Sequence, residues 1–267
     1  MRIVVVGGTG LVGAQLVEAL RHRGHDVLAA SSRVGIDTIT RQGLSAALAG
    51  ARVVIDVTNS RSFDDETALQ FFPTSSSNLL EAARAARVKH YVVLSIVGVD
   101  RLIESGYFRA KLAQEDLTIA SPLPHTILRS TQFYEFMPRI PEADRDGHVV
   151  RAAPALVQPL ASAEVAAALA DLATAEPRNR MIEFAGPETF RLHEIVSQVM
   201  HAVSDSREVV MDPHARYFGA RLSEDTLAPD EGAIVGVGRF ADWLNKYDSP
   251  RHTAWPLTLE CNVRSNL

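Results

Sequence analysis

The sequence is poor in cysteine and in long apolar runs. A single cysteine, Cys261, stands among 267 residues, so neither a disulfide framework nor a cysteine metal site can be built from it. Sparse cysteine is typical of proteins of the reducing cytosol, and we expect a cytoplasmic location. Because no stretch approaches the ~18 consecutive apolar residues that a membrane-spanning helix needs, we expect no membrane contact.

The chain also lacks an excess of basic residues and a metal-like spacing of histidines. Lys and Arg number 27 against 32 Asp and Glu, which gives a formal net charge of −5. Non-specific nucleic-acid binding requires a basic surface, so no nucleic-acid partner is expected. The nine histidines are scattered along the chain, and we expect no metal site.

Glycines near the N-terminus form the most informative motif. An apolar run at residues 3–6 ends at Gly7, and Gly7, Gly10 and Gly13 read Gly-x-x-Gly-x-x-Gly before a helical pattern at 11–20. In a strand–turn–helix of this kind the turn lets the backbone approach a pyrophosphate, and the helix N-terminus offers free N–H groups. The motif predicts a dinucleotide cofactor bound by Gly7, Thr9, Gly10, Leu11, Val12 and Gly13.

Strand and helix patterns alternate through the first half of the chain. The apolar strands show no in–out alternation, so both of their faces are expected to be covered by helices. This pattern predicts an α/β fold with a doubly wound parallel sheet of the Rossmann type. The predicted strands lie at 26–30, 53–57, 91–95 and 125–128, and the helices at 44–49, 68–86 and 108–119.

The regular alternation of strand and helix patterns ends near residue 130, and several prolines interrupt the irregular sequence that follows. Helices are predicted at 162–173 and 192–203, and residues 205–235 are rich in loops. We predict a dinucleotide-binding core at 1–130, joined by a late strand around 181–185, and a smaller, partly irregular C-terminal cap at 131–267. Such a cap would bind the substrate at the carboxyl edge of the sheet.

The end of the second strand bears on the choice of nucleotide. An NAD site usually has an acidic residue there to bind the ribose 2′-hydroxyl, whereas this chain has Ser31, Ser32 and Arg33. Arg33 can pair with a 2′-phosphate and the two serines can donate hydrogen bonds to it. These residues predict NADP(H) as the preferred cofactor. NAD(H) is the alternative, which Asp37 would favour if it contacted the ribose.

Ser95, Tyr107 and Lys111 form a second cluster. Tyr107 and Lys111 are four residues apart, which on a helix places them one turn apart on the same face. Ser95 ends a predicted strand and precedes Tyr107 by twelve residues.

This combination resembles the short-chain dehydrogenase/reductase superfamily. The shared features are the N-terminal glycine motif, a serine after a central strand and Tyr-x-x-x-Lys about a dozen residues later. Other stretches are similar to the atypical, NmrA-like NAD(P)-binding branch: residues 7–10, 90–95, 128–134 and 158–166.

The resemblance implies roles for the three residues. Tyr107 would be the acid/base that exchanges a proton with the substrate oxygen. Lys111 would lower the tyrosine pKa, which is ordinarily about 10, and would hold the nicotinamide ribose. Ser95 would orient the substrate oxygen by a hydrogen bond.

Residues after two further strands are candidate ligand contacts. Thr58 and Asn59 would flank the adenosine or ribose in such a fold, although turn formation explains them equally well. Gln132, Phe133, Tyr134 and Phe136 would line a substrate pocket suited to a flat, apolar carbonyl or quinone. A plain core role is the alternative for these aromatic residues.

The sequence therefore predicts an NADPH-dependent oxidoreductase that transfers hydride to a carbonyl, enone or quinone of a small organic molecule. One alternative is a non-catalytic NADP-binding redox sensor that acts through a protein partner. Independently of function, a homodimer is possible, because related folds often dimerise. A third is a nucleotide-sugar epimerase or reductase, which would need cap arginines to hold a sugar diphosphate. The candidate arginines are Arg139, Arg145, Arg151, Arg216 and Arg221.

Overall fold

Parallel strands form the central sheet of the protein. The computed structural model describes residues 1–140, 142–143, 148–202 and 204–247. The strands are β1 (Arg2–Val6), β2 (Asp26–Ala30), β3 (Val53–Asp56), β4 (His90–Ile96), β5 (His125–Ser130), β6 (Glu142–Ala143), β7 (Val149–Ala152), β8 (Leu156–Val157), β9 (Arg180–Ala185), β10 (Phe190–Arg191), β11 (Glu208–Met211) and β12 (Ile234–Val235).

Helices follow most of these strands. Within the described ranges, none of them combines the length and apolar character of a bilayer-spanning segment. They are α1 (Leu11–His22), α2 (Leu44–Leu48), α3 (Asp65–Ala85), α4 (Gly106–Ala120), α5 (Ser162–Thr174), α6 (Leu192–Ala202) and α7 (Phe240–Tyr247), with 3₁₀ turns at Ser32–Val34 and Tyr134–Arg139.

The main sheet has seven strands in the order β12-β9-β5-β4-β3-β1-β2, and each pairing within it is parallel. Val6 is opposite Ala30 on one side and Asp56 on the other, so β1, β2 and β3 end at the same edge. The chain order reverses between β1 and β3, which is where ligands bind in open α/β sheets. The predicted doubly wound Rossmann sheet is confirmed.

Burial of residues 3–6 of β1 explains why this part of the strand is entirely apolar. Ile3 and Val5 pack on the sheet face that α1 and α5 cover, and Val4 and Val6 pack on the face that α2 and α3 cover. Since both faces are closed to water, every position from Ile3 to Val6 must be apolar. The late strand predicted near 181–185 is β9, which pairs with β5.

The second half of the chain contributes to the sheet as well as to a separate region. Helix α5 packs against α1, and β12 extends the sheet beyond β9. The remaining strands form small sheets, β6-β7-β11 and β8-β10, beside α6. The loop-rich stretch 205–235 thus holds β11 and β12. The division into a core at 1–130 and a cap at 131–267 stays a prediction.

A buried ion pair joins α4 to the sheet. Arg129 of β5 donates from Nε to Oε1 of Glu115 at 2.9 Å and from Nη2 to Oε2 at 2.7 Å. The Arg129 and Glu115 side chains are only 8% and 3% exposed. A bidentate pair of this kind fixes the position of α4. Removing Glu115 would leave the buried guanidinium with the weaker pairing to Asp100, a half-exposed carboxylate 3.3 Å away.

We expect Glu115→Gln to lower the free energy of unfolding by about 3 kcal/mol, because the substitution keeps the shape but leaves Arg129 without its main counter-charge. Asp171→Asn is the matched control. It removes an Arg23–Asp171 pair whose side chains are 37% and 73% exposed and should cost less than ~1 kcal/mol. Urea unfolding of both variants tests this; equal losses would contradict the assigned role of burial.

Candidate functional site

A cavity of about 380 Å³ opens at the carboxyl edge of the sheet, above β1, β3, β4 and β5. It brings together most of the residues that the sequence predicted for cofactor, catalysis and substrate. Those that line it are Gly7, Thr9, Gly10, Leu11, Val12, Gly13, Thr58, Asn59, Ser95, Tyr107, Lys111, Gln132, Phe133 and Phe136.

Tyr134 lies outside this cavity. Its ring is fully buried and contacts Phe240 at 5.2 Å and Trp243 at 5.1 Å between ring centroids. The 3₁₀ turn that begins at Tyr134 directs the ring into the cluster beneath α7, whereas Phe133 and Phe136 face the cavity. In this structure Tyr134 is a core residue, as the alternative explanation allowed.

The glycine loop has the shape of a phosphate cradle. Gly7 has a φ of +84°, and a Cβ on Gly13 would lie 2.2 Å from the Gly7 carbonyl oxygen, so a side chain at Gly13 would force α1 away from the loop. Helix α1 begins at Leu11, and its N-cap Gly10 has no side chain to cover the first N–H groups. These groups and the helix dipole suit a pyrophosphate.

Ser31, Ser32 and Arg33 follow β2 at the same edge of the sheet, but they are not among the residues that line the cavity. The Ser31 hydroxyl is buried and has no hydrogen-bond partner among the described residues, while Ser32 and Arg33 are exposed. Arg61, from the loop after β3, donates to the Ser32 hydroxyl at 3.4 Å. Sequence reasoning missed Arg61, because only the pairing of β3 beside β1 brings its loop close to β2.

Asp37, the competing ribose ligand, is held by its own loop. Its Oδ1 accepts from the backbone N–H groups of Ile39 at 2.7 Å and Thr40 at 2.9 Å. The Thr40 and Ile39 hydrogen bonds hold the carboxyl pKa below its usual value, and nearby Arg61 lowers it further. The carboxylate is therefore already used in forming the turn.

Tyr107 occupies the first turn of α4. The start of α4 is held in place because the Gly106 N–H donates to Oδ1 of Asp65 in α3 at 2.7 Å. The Tyr107 hydroxyl donates to Oδ1 of Asn59 at 2.9 Å across the cavity. Burial raises the pKa of Tyr107 well above its ordinary value, and the Asn59 hydrogen bond offsets only part of that rise. At neutral pH the phenol keeps its proton.

Lys111 is one turn along α4 from Tyr107 but binds other groups. Its ammonium donates to Oε1 of Gln114 at 2.6 Å and lies 4.8 Å from the centre of the Phe72 ring. Burial lowers the pKa of Lys111 to about 8, and the charges of Asp56 and Glu115 oppose this shift. The expectation that Lys111 lowers the pKa of Tyr107 is not met in this arrangement, because burial dominates and the ammonium is turned toward Gln114.

Ser95 lies one residue before the end of β4 and faces the cavity. Its hydroxyl is buried and finds no hydrogen-bond partner among the described residues. A buried hydroxyl without a partner is costly, so this group is available to a bound ligand. The serine, the phenol and the ammonium thus line one cavity together with the glycine loop.

Aromatic rings that the sequence did not single out form the outer wall. A tight turn at residues 217–220 places Tyr217 and Phe218 on the cavity, and Phe218 adopts the left-handed φ of +48°. The Phe63 ring lies 4.6 Å from Phe218 and 4.9 Å from Tyr107 between ring centroids. These rings give the cavity a mainly apolar wall beside the Tyr107 hydroxyl.

The three cap arginines whose side chains are described do not line this wall. Arg151 pairs with Asp212, while Arg216 and Arg221 both pair with Glu104. Arg145 and the Arg139 side chain lie outside the described residues. Over the same described ranges, no group of three or more His, Cys, Asp or Glu side chains has the arrangement of a metal site.

Comparisons with known proteins agree with this geometry. A family model described as NAD(P)H-binding matches residues 7–176, which is more than half of the chain. The Photosystem II assembly factor Ycf39 of Trieres chinensis is 28% identical over 149 residues, covering 51% of this chain and 47% of that protein. The 3-diazoavenalumate denitrifying reductase of a Streptomyces species is 36% identical over 115 residues, covering 36% of this chain and 38% of that protein.

The chain therefore spans about half the length, or less, of these curated relatives. Among solved structures, a short-chain dehydrogenase/reductase superfamily protein from Agrobacterium tumefaciens with bound NAD superposes with a TM-score of 0.67. It is 16% identical, and the match covers 93% of this chain and 96% of that one. At this level of identity the likeness shows the fold alone.

Proposed function

The chain belongs to the NAD(P)H-binding family, and we propose that it is an NADPH-dependent oxidoreductase acting on a carbonyl, enone or quinone of a small organic molecule. Its resemblance to the atypical short-chain dehydrogenases/reductases is confirmed at the level of the family and the Rossmann fold. The observation that carries the proposal is the single cavity in which the glycine loop meets Ser95, Tyr107 and Lys111.

The proposed chemistry assigns a task to each of the three side chains. When bound, the reduced nicotinamide supplies the hydride. The Tyr107 phenol, which is protonated at neutral pH, donates its proton to the substrate oxygen as negative charge develops there. The unpartnered Ser95 hydroxyl orients the same oxygen, and Lys111 holds the nicotinamide ribose.

The walls of the cavity favour an uncharged, flat substrate. Phe63, Phe133, Phe136 and Phe218 contribute rings, and Gln132 contributes one carboxamide. Apolar walls with few polar groups suit a ligand that has one polar end. One relative is named a reductase, which supports the reductive direction.

Tyr107→Phe should lower turnover of NADPH with a reactive ketone or quinone at least ~100-fold, because the ring remains but the proton donor is lost. The Kd for NADPH, followed by cofactor fluorescence, should change less than about threefold. Tyr134→Phe is the control, since it removes a buried hydroxyl outside the cavity and should leave turnover near wild type. A Tyr107→Phe enzyme as active as the wild type would remove the acid/base assignment.

The preference for NADPH rests on charges at the end of β2. Arg33 is exposed there, and Arg61 reaches the Ser32 hydroxyl from the neighbouring loop. Two guanidinium groups and two serine hydroxyls suit a 2′-phosphate, and the carboxylate that would select NADH is absent from this strand end.

We expect Arg33→Asp to raise the Kd for NADPH at least tenfold, because a charge-assisted hydrogen bond becomes a repulsion. The Kd for NADH, which lacks the phosphate, should rise less than about threefold. Arg61→Ala should act in the same direction. Arg23→Asp, at the far end of α1, is the control; equal effects of Arg33→Asp on both cofactors would contradict the assignment.

The lowered pKa of Lys111 predicts that cofactor binding depends on pH. Its pKa of about 8 means that the ammonium is present below pH 8 and is lost as the pH rises through that value. The Kd for NADPH should therefore rise between about pH 7 and pH 9, because the cationic donor near the ribose and phosphates disappears. Lys111→Met should bind NADPH more weakly and without this step, whereas Lys89→Met, an exposed lysine before β4, should keep it.

A non-catalytic, NADP-binding regulator is the second candidate function. It is favoured by the hydrogen bond that occupies the Tyr107 hydroxyl and by a relative that is named an assembly factor. Tight NADPH binding with no turnover on a panel of ketones and quinones, unchanged by Tyr107→Phe, would support the regulator over the enzyme.

A further inference from the structure

We propose that Gln114 is a positioning residue, oriented by the buried carboxylate of Asp56, that holds the Lys111 ammonium in place for the cofactor. The proposal rests on the proposed role of Lys111 in cofactor binding. It adds a residue that the Tyr-x-x-x-Lys spacing does not include, three positions after Lys111 on α4.

The Asp56 carboxylate anchors the arrangement. Asp56 is fully buried at the end of β3, and its Oδ1 accepts from the backbone N–H of Thr58 at 3.0 Å and from the Thr58 hydroxyl at 2.7 Å. Its Oδ2 accepts from the Tyr91 hydroxyl at 3.0 Å and from Nε2 of Gln114 at 2.8 Å. A carboxylate can only accept hydrogen bonds, so it satisfies all four donors at once.

This chemistry fixes which way the Gln114 amide points. The NH₂ group must face Asp56, because an amide oxygen there would meet a second acceptor. The carbonyl oxygen then faces Lys111 and accepts from its ammonium at 2.6 Å. Gln114 is 1% exposed, so water offers no ready replacement for either hydrogen bond.

Lys111 needs such a partner because its side chain is long and buried. It is 4% exposed, and the Phe72 ring provides a second contact on its ammonium. The other charged group that acts on it, Glu115, is engaged with Arg129. The Asp56–Gln114 pair therefore holds the Lys111 cation on the cavity wall. Through Thr58, which also lines the cavity, the same carboxylate holds the loop after β3.

A double-mutant cycle on the full chain tests whether Gln114 acts through Lys111. The variants are Gln114→Met, Lys111→Met and the double variant, with NADPH affinity measured by fluorescence from pH 6.5 to 9.5. Thr118→Val is the control. It removes a buried hydrogen bond from the Thr118 hydroxyl to the Gln114 carbonyl on the same helix and leaves the side-chain contacts of Lys111 in place.

We expect Gln114→Met to raise the Kd for NADPH about tenfold, as for loss of a hydrogen bond to a charged group. Its pH step should move below that of the wild type, because the ammonium loses its acceptor in a desolvated site. In the Lys111→Met background the same change should have little further effect, and Thr118→Val should keep the wild-type pH step. If Gln114→Met folds poorly, Gln114→Asn replaces it in the test. The shorter side chain stays polar but cannot reach both partners, so it should give the same loss of NADPH affinity and the same downward move of the pH step.

Three results would overturn the proposal, and the first two are distinct from failure of the proposed function. Equal losses of affinity from Gln114→Met in both backgrounds, or an unmoved pH step, would show that Gln114 acts only on the structure of α4. If Lys111→Met leaves NADPH affinity unchanged, then the cofactor role of Lys111 fails and the Gln114 proposal falls with it. Loss of turnover in Tyr107→Phe with normal NADPH binding would leave this inference intact.

Discussion

Parallel pairing of β1 between β2 and β3 is the constraint on which the site depends. Because Val6 is in register with Ala30 and Asp56, three strands end at one edge, and the loops that follow them meet there. Residues that are far apart in the sequence, such as Gly7 and Asn59, therefore line one ligand-sized cavity. The close approach of Gly13 to the Gly7 carbonyl keeps α1 against this edge and leaves its N-terminus open.

Burial decides the electrostatics of the cavity. Tyr107 and Lys111 both lose contact with water, which favours their neutral forms and moves their pKa values in opposite directions. The phenol stays protonated at neutral pH, and the pKa of the Lys111 ammonium is brought to about 8. Asp56 stays in the same buried layer without a direct cationic partner because four donors satisfy it.

The second half of the chain contributes both support and enclosure. Strands β9 and β12 extend the sheet, and helix α5 covers one of its faces. The turn at 217–220 places Tyr217 and Phe218 on the cavity wall. The left-handed backbone at Phe218 costs free energy that the surrounding rings must offset.

Local patterns in the sequence determined the elements and the type of fold. Apolar runs, the glycine motif and the spacing of Tyr107 and Lys111 act over a few residues, and the structure has the corresponding strands, turn and helix. Contacts between residues that are distant in the sequence could not be predicted from these local patterns. Arg61 meets Ser32, Gln114 meets Asp56, and Tyr134 turns toward Trp243, because strand order and helix packing bring together residues separated by 29, 58 and about a hundred positions. The directions of the pKa shifts of Tyr107 and Lys111 were likewise decided by tertiary burial, since desolvation depends on which side chains cover a group and not on its neighbours in the chain.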